Sequence, residues 1–170
     1  MGIFSFLSGS RPKRQSASAL PDTTSAKSDA EALLDALMPF AKQMLQQYHE
    51  FFPFGGQMAP DGKITNDGAY SGEEHPPSQA LIEILRRAHH QSAHEHKLRA
   101  CATIYDIRTI PPNRTEQQDA IAAAIDHVSG YSVVVIFPYT FDSQKKLQVE
   151  APFVVKGSQN IFPQPSQTTL

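Results

Sequence analysis

The chain has 170 residues, 40% of them apolar and 19% charged, enough for one domain with a real core and too little for two. Its net charge of −2 conceals a split: Arg11, Lys13, Arg14 and Lys27 against Asp22 give residues 1–28 a charge of +3, which leaves −5 for residues 29–170. An acidic folded part argues against nucleic acid as a partner, because phosphate contacts need a basic surface, and a single cysteine, Cys101, excludes an internal disulfide.

The amino terminus, MGIFSFLSGSRPKRQ, sets a short apolar run ahead of a basic cluster. A secretory signal carries its positive charge first, and the run is too short to cross a membrane. Gly2 suits an acylation pattern that requires Ser or Thr at position 6, where this chain has Phe6. Two readings remain: a disordered leader, or an interfacial anchor in which Ile3, Phe4, Phe6 and Leu7 insert while Arg11, Lys13 and Arg14 meet anionic lipid. Residues 8–28 are rich in Ser, Ala, Thr and Pro, so 1–28 reads as a flexible basic arm. The expected location is cytoplasmic, with peripheral contact to a membrane as the alternative.

Ser28 and Glu31 have the spacing of a capping box and place a helix start there. Leu33, Leu34, Leu37, Ala41, Met44, Leu45 and Tyr48 then recur at three and four residues, which marks one buried face. Pro39 removes the amide that would bond to Asp35, at a cost of about 3 kcal/mol, and predicts a kink or break near Met38. Two short extended runs follow, turned by Pro60-Asp61-Gly62. Phe51, Phe52 and Phe54 read as wedges seating the first helix, with an aromatic ligand pocket beside Gly55-Gly56 as the alternative. Residues 66–75, NDGAYSGEEH, read as an exposed loop whose Asp67, Glu73 and Glu74 are the expected acidic contacts to a protein partner.

Pro76-Pro77 opens a second helix that runs to about Lys97. Leu81, Ile82, Leu85 and Ala88 set its apolar direction, with His89 on or beside that face and His90 and His94 opposite. His90 and His94 lie four apart and could give a divalent metal two ligands. However, Gln91 stands where the helical zinc motif has Glu, no third ligand can be assigned, and Arg86, Arg87 and Lys97 repel a cation. A solvated polar face is the preferred reading, and no cofactor is expected.

Leu98–Ile107 alternates as a central strand, with Leu98, Ala100, Ala102 and Ile104 on one face and Cys101, Thr103, Tyr105 and Ile107 on the other. Cys101 then reads as a buried small hydrophobe; a catalytic thiol would need His127 and Asp126 beside it in an accessible, electropositive setting. Residues 119–128 and Tyr131–Phe137 form a hairpin across Ser129-Gly130. The small side chains of its first strand suit a closely packed helix, and β-branched Val133–Ile136 dominate the second. Pro138 is expected to end the ladder and leave Tyr139 exposed for contact. Leu147–Val155 gives a last strand interrupted by Pro152, hence an edge, and the uncharged Gln/Ser/Pro/Thr-rich segment 157–170 reads as a loose tail.

The sum is a single α+β domain over 29–156, with an antiparallel sheet of five or six strands and two helices packed on one face. The leading helix ending in Glu50-Phe51-Phe52-Pro53-Phe54-Gly55, the Asp61-Gly62 turn, Arg99-Ala100, and Asp119-Ala120-Ile121 followed by His127, Gly130 and Pro138-Tyr139 resemble a group of small, uncharacterised bacterial α+β proteins over roughly residues 30–155. That resemblance implies a fold and no activity. In size and charge the chain is also similar to small acidic immunity or accessory proteins that bind a partner.

The function expected is therefore non-enzymatic protein binding through an acidic loop or sheet face, with self-association into a homo-oligomer as a further form of partner. The alternatives are a small metal- or ligand-dependent enzyme using the helix histidines, or Tyr139 with His127, and an adaptor recruited to a membrane surface by its basic arm.

Overall fold

The structure is a computed structural model that describes residues 23–158 and 160–162. Helix α1 spans Thr23–Tyr48 and α2 spans Ser78–His94; the strands are β1 (Phe54–Met58), β2 (Ile64–Gly68), β3 (Ala100–Thr109), β4 (Gln118–His127), β5 (Ser132–Phe141), β6 (Leu147–Val149) and β7 (Phe153–Lys156). Every pairing is antiparallel, in the order β2-β1-β3-β4-β5, with β6 and β7 both on the outer side of β5. The α+β class and the antiparallel sheet are those expected. The sheet has seven strands rather than five or six because the last expected strand divides around Pro152 into β6 and β7.

The two helices do not share a face. Gly55 and Gly56 are neighbours on β1 and so point to opposite sides. A Cβ on Gly56 would meet Leu37 of α1 at 2.8 Å, whereas one on Gly55 would meet the His89 ring of α2 at 3.0 Å. The strand registers carry this division across the sheet: Gly56, Ala102, Ile125 and Val133 lie on the α1 side, and Gly55, Thr103, Ala124 and Val134 on the α2 side. The reason is that β3 and β4 are buried on both faces, so each face needs its own cover.

The α1 face holds the main core, with Leu33, Leu37 and Leu45 against Met58, Ile104, Ile121 and Ile125. The helix begins at Thr23, ahead of the Ser28–Glu31 spacing, which lies inside it. It also runs through Pro39 unbroken. Ala41 and Leu45 beyond the proline are wholly buried, and burying side chains at about 1.5–3 kcal/mol each for Leu and Met offsets the roughly 3 kcal/mol lost at Pro39.

Pro138 does not end β5 either, which continues to Phe141. Its carbonyl accepts from the Glu150 amide at 2.8 Å, so its backbone polar side faces the outer edge. There β7 pairs at Val133–Ile136 and β6 at Tyr139–Phe141, so the missing N–H of Pro138 falls in the gap between two partners.

On the α2 face Leu81, Leu85 and Ala93 are buried against the sheet. The segment expected to be a loose tail returns here: Ile161 and Phe162 are buried and cluster with Ala93, Leu98 and Cys101. Among the described residues no helix is long and apolar enough to cross a membrane.

Candidate functional site

The outer edge of the sheet carries two adjacent exposed valines on a strand that, among the described residues, is paired along one side only. β7 pairs with β5 along one side, and no described strand pairs with the other. Its Val154 and Val155 are 59% and 43% exposed and, being neighbours on a strand, face opposite sides of the sheet. Natural edges are blunted by Pro and Lys; here Pro152 and Lys156 bracket the strand and leave the two valines between them bare.

Beside this edge, on the α1 face, lies a groove of about 350 Å³. Val135, the cross-strand partner of Val154, forms its floor with Phe137 and Met38, and Glu31, Asp35 and Lys42 of α1 form its wall. From Glu31 to Lys42 the helix rises about 16 Å, the length of roughly five extended residues. Pro39 also lines the groove. The groove thus offers an apolar floor, two carboxylates, one lysine and an adjoining strand edge.

The residues singled out in the sequence are scattered. Asp67 is not a loop contact: it sits on β2 facing α2, and its Oδ2 lies 3.0 Å from Nε2 of His89. Glu73 and Glu74 stay in the exposed connection to α2. Tyr139 is buried rather than available for contact, and its hydroxyl donates to Asp106 at 3.0 Å. Burial, and then the Asp106 charge, push the Tyr139 phenol up, which keeps it a hydrogen-bond donor. His90 and His94 lie side by side on the exposed side of α2, ring centroids 4.7 Å apart with the planes tilted by 53°, and no group of three or more potential metal ligands occurs among the described residues. Ile3, Phe4, Phe6, Leu7, Arg11, Lys13 and Arg14 lie outside the described residues.

Cys101 does not meet His127. It faces α2, and its cross-strand partner is Asp126, whereas His127 lies on the α1 side. Burial, reinforced by the charges of Asp126 and Asp67, raises the thiol pKa far above its ordinary value, the reverse of a reactive cysteine. His127 belongs to a fastening of α1 to the sheet: Asp29 accepts from Arg99 at 2.7 Å and lies 3.2 Å from His127 Nε2. On the other side of the ring Nδ1 accepts the Ser129 amide at 3.0 Å, with the Ser129 hydroxyl at 2.8 Å. The serine, histidine and aspartate order resembles a hydrolytic relay in outline, but the Ser129 amide donates to the same nitrogen its hydroxyl faces, so the ring serves to close the β4–β5 turn.

Sequence reasoning missed the edge and the groove because each depends on two distant segments, α1 and 135–154. The signal available was Pro152 between two Val-containing runs. No family model matches the chain, and no curated protein or solved structure matches it. The likeness to small bacterial α+β proteins therefore rests on the short residue matches alone.

Proposed function

We propose that the protein is a non-enzymatic binding domain that captures an extended segment of another protein along β7. The observation that carries the reading is the unpaired outer edge of β7, with Val154 and Val155 exposed on its two faces. A strand added there gains main-chain hydrogen bonds, and every second side chain falls toward the α1 groove. Glu31 and Asp35 select for lysine or arginine at those positions, and the apolar floor selects for a branched aliphatic residue between them.

A second copy of this chain is the competing occupant, since a twofold pairing of β7 with itself would cover the same edge; it would leave the charges of the groove unused, and the test separates the two.

The test is a labelled peptide of alternating valine and lysine, read by fluorescence anisotropy and by amide exchange on the full chain. Binding with protection of residues 153–156 is expected, weakened about tenfold or more by Glu31→Lys together with Asp35→Lys. Equal binding of a valine–glutamate peptide, or protection of β7 by dimer formation alone, would overturn the reading.

A further inference from the structure

The α2 face holds a second feature, independent of the strand edge. Between α2 and the sheet lies a narrow, partly open chamber of about 90 Å³ lined by His89, Thr103, Tyr105, Cys101 and Asp126. Outside it opens a cleft of about 430 Å³ that carries Arg86, Arg87 and His90. Arg86 and Ile161 line both, so the two spaces stand back to back across that pair.

His89 is the unusual member. It is wholly buried, Asp67 engages its Nε2, and its Nδ1 has no hydrogen-bond partner. An unpaired buried polar atom is costly to keep, and such groups in folded proteins call for a specific explanation. Arg86 adds to this: among the described residues it has no hydrogen-bonded carboxylate, its charge acting at longer range on Asp126 of the chamber, and it sits three residues before His89, so the two project from neighbouring positions of one helical face. Glu83, the one carboxylate at the outer cleft, accepts from Gln79 along its own helix.

We propose that this crevice binds a small hydroxylated organic anion, its acidic group on Arg86 and Arg87 in the outer cleft and its hydroxyl entering the chamber to donate to Nδ1 of His89. The ligand has to be short, because the chamber holds about three waters' worth of volume and so admits little more than a hydroxymethyl group. Asp67 engages Nε2, which leaves Nδ1 as the ring nitrogen without a protein partner. Thr103 and Tyr105 bring further hydroxyls to the same space.

The carboxylate and phosphate forms of such an anion share this chemistry, and the experiment separates them. Full-length protein labelled with ¹⁵N is titrated with glycolate, glycerol 1-phosphate, acetate and ethylene glycol while the imidazole nitrogens are observed. Glycolate, glycerol 1-phosphate or both are expected to move the Nδ1 resonance of His89 and to bind about tenfold tighter than acetate, which lacks the hydroxyl, or ethylene glycol, which lacks the charge. Arg86→Gln is expected to lower that affinity about tenfold or more with the folded spectrum retained. If acetate binds as well as glycolate, the site is a cationic patch and the proposal fails. It fails equally if no hydroxylated anion moves the His89 resonance up to roughly 10 mM, which leaves water as the occupant, or if Arg86→Gln binds as the parent does.

Discussion

The two faces of the sheet are built from the same strands and opposite chemistry. Toward α1 the sheet presents Met58, Ala102, Ile104, Ile121, Ala123 and Ile125, and the helix answers with leucines. Toward α2 it presents Gly55, Cys101, Thr103, Ala124 and Asp126, and the helix answers with His89 beside Leu81 and Leu85. The first arrangement maximises apolar burial, which is where folding free energy comes from. Each face also buries an imidazole beside a carboxyl, at a cost in desolvation, but on the α1 side Arg99 and Ser129 complete the hydrogen bonding of Asp29 and His127, whereas on the α2 side Nδ1 of His89 has no partner. The α1 side is accordingly the side on which stability depends, and the α2 side the one where polar groups are retained against it.

The largest expected effect falls on the α1 side. Leu37 is wholly buried against Gly56, and Leu37→Ala removes a side chain that strands on one side and a helix on the other prevent from being refilled. A loss of about 2–5 kcal/mol is expected in denaturant unfolding. A loss under about 1 kcal/mol would mean that α1 is loosely seated, and the contrast between the faces would collapse.

The neighbouring glycines sharpen the contrast at smaller scale. A methyl at Gly55 would sit 3.0 Å from the backbone oxygen of Ala102 and from the His89 ring, and backbone cannot step aside. A methyl at Gly56 meets first the branched end of Leu37, at 2.8 Å, a side chain that can rotate at some packing cost. Gly55→Ala is therefore expected to destabilise by about 1–3 kcal/mol and Gly56→Ala by less. The reverse order, measured as two melting temperatures on otherwise identical protein, would show that α2 gives way more readily than α1.

How far the sequence disclosed this architecture follows from the range of the interactions involved. The alternation assigned both faces of β3 correctly from Ala100 to Ile107, because period-two patterning is local, but not Leu98, which precedes the strand and packs with Cys101 rather than opposite it. The β4–β5 hairpin was legible for the same reason. The placement of α2 on the far face was not, because His89 and the adjacent Gly55 carry no periodic signal until the two are brought together. Pro39 and Pro138 misled in the same way: proline forbids a local hydrogen bond, but whether that ends an element depends on distant packing or on a gap between neighbours. The Asp67–His89 pair, separated by twenty-two residues, was invisible to motif reading, which saw Asp67 only as one acid of a loop.

The smallest effect, and the one of opposite sign, concerns Asp126. Burial, opposed by a hydrogen bond from Ser132 and by the charge of Arg86, raises its pKa above the ordinary 3.8. An acid that holds its proton better in the folded chain than in the unfolded one loses stability as it ionises, so the cost is fully present above the raised folded value and absent below 3.8. Asp126→Asn keeps the shape and the acceptor for Ser132 while removing the charge. It is expected to stabilise the protein at neutral pH by under about 1 kcal/mol, at roughly 2–4 °C in Tm per kcal/mol for a chain of this size, with the gain fading as the pH is lowered toward 3.8. Thermal melts of parent and variant at several pH values read this directly. A variant that is less stable at neutral pH would show that the carboxylate is favourably held by Arg86, and the α2 face would then be as well satisfied as the α1 face is well packed.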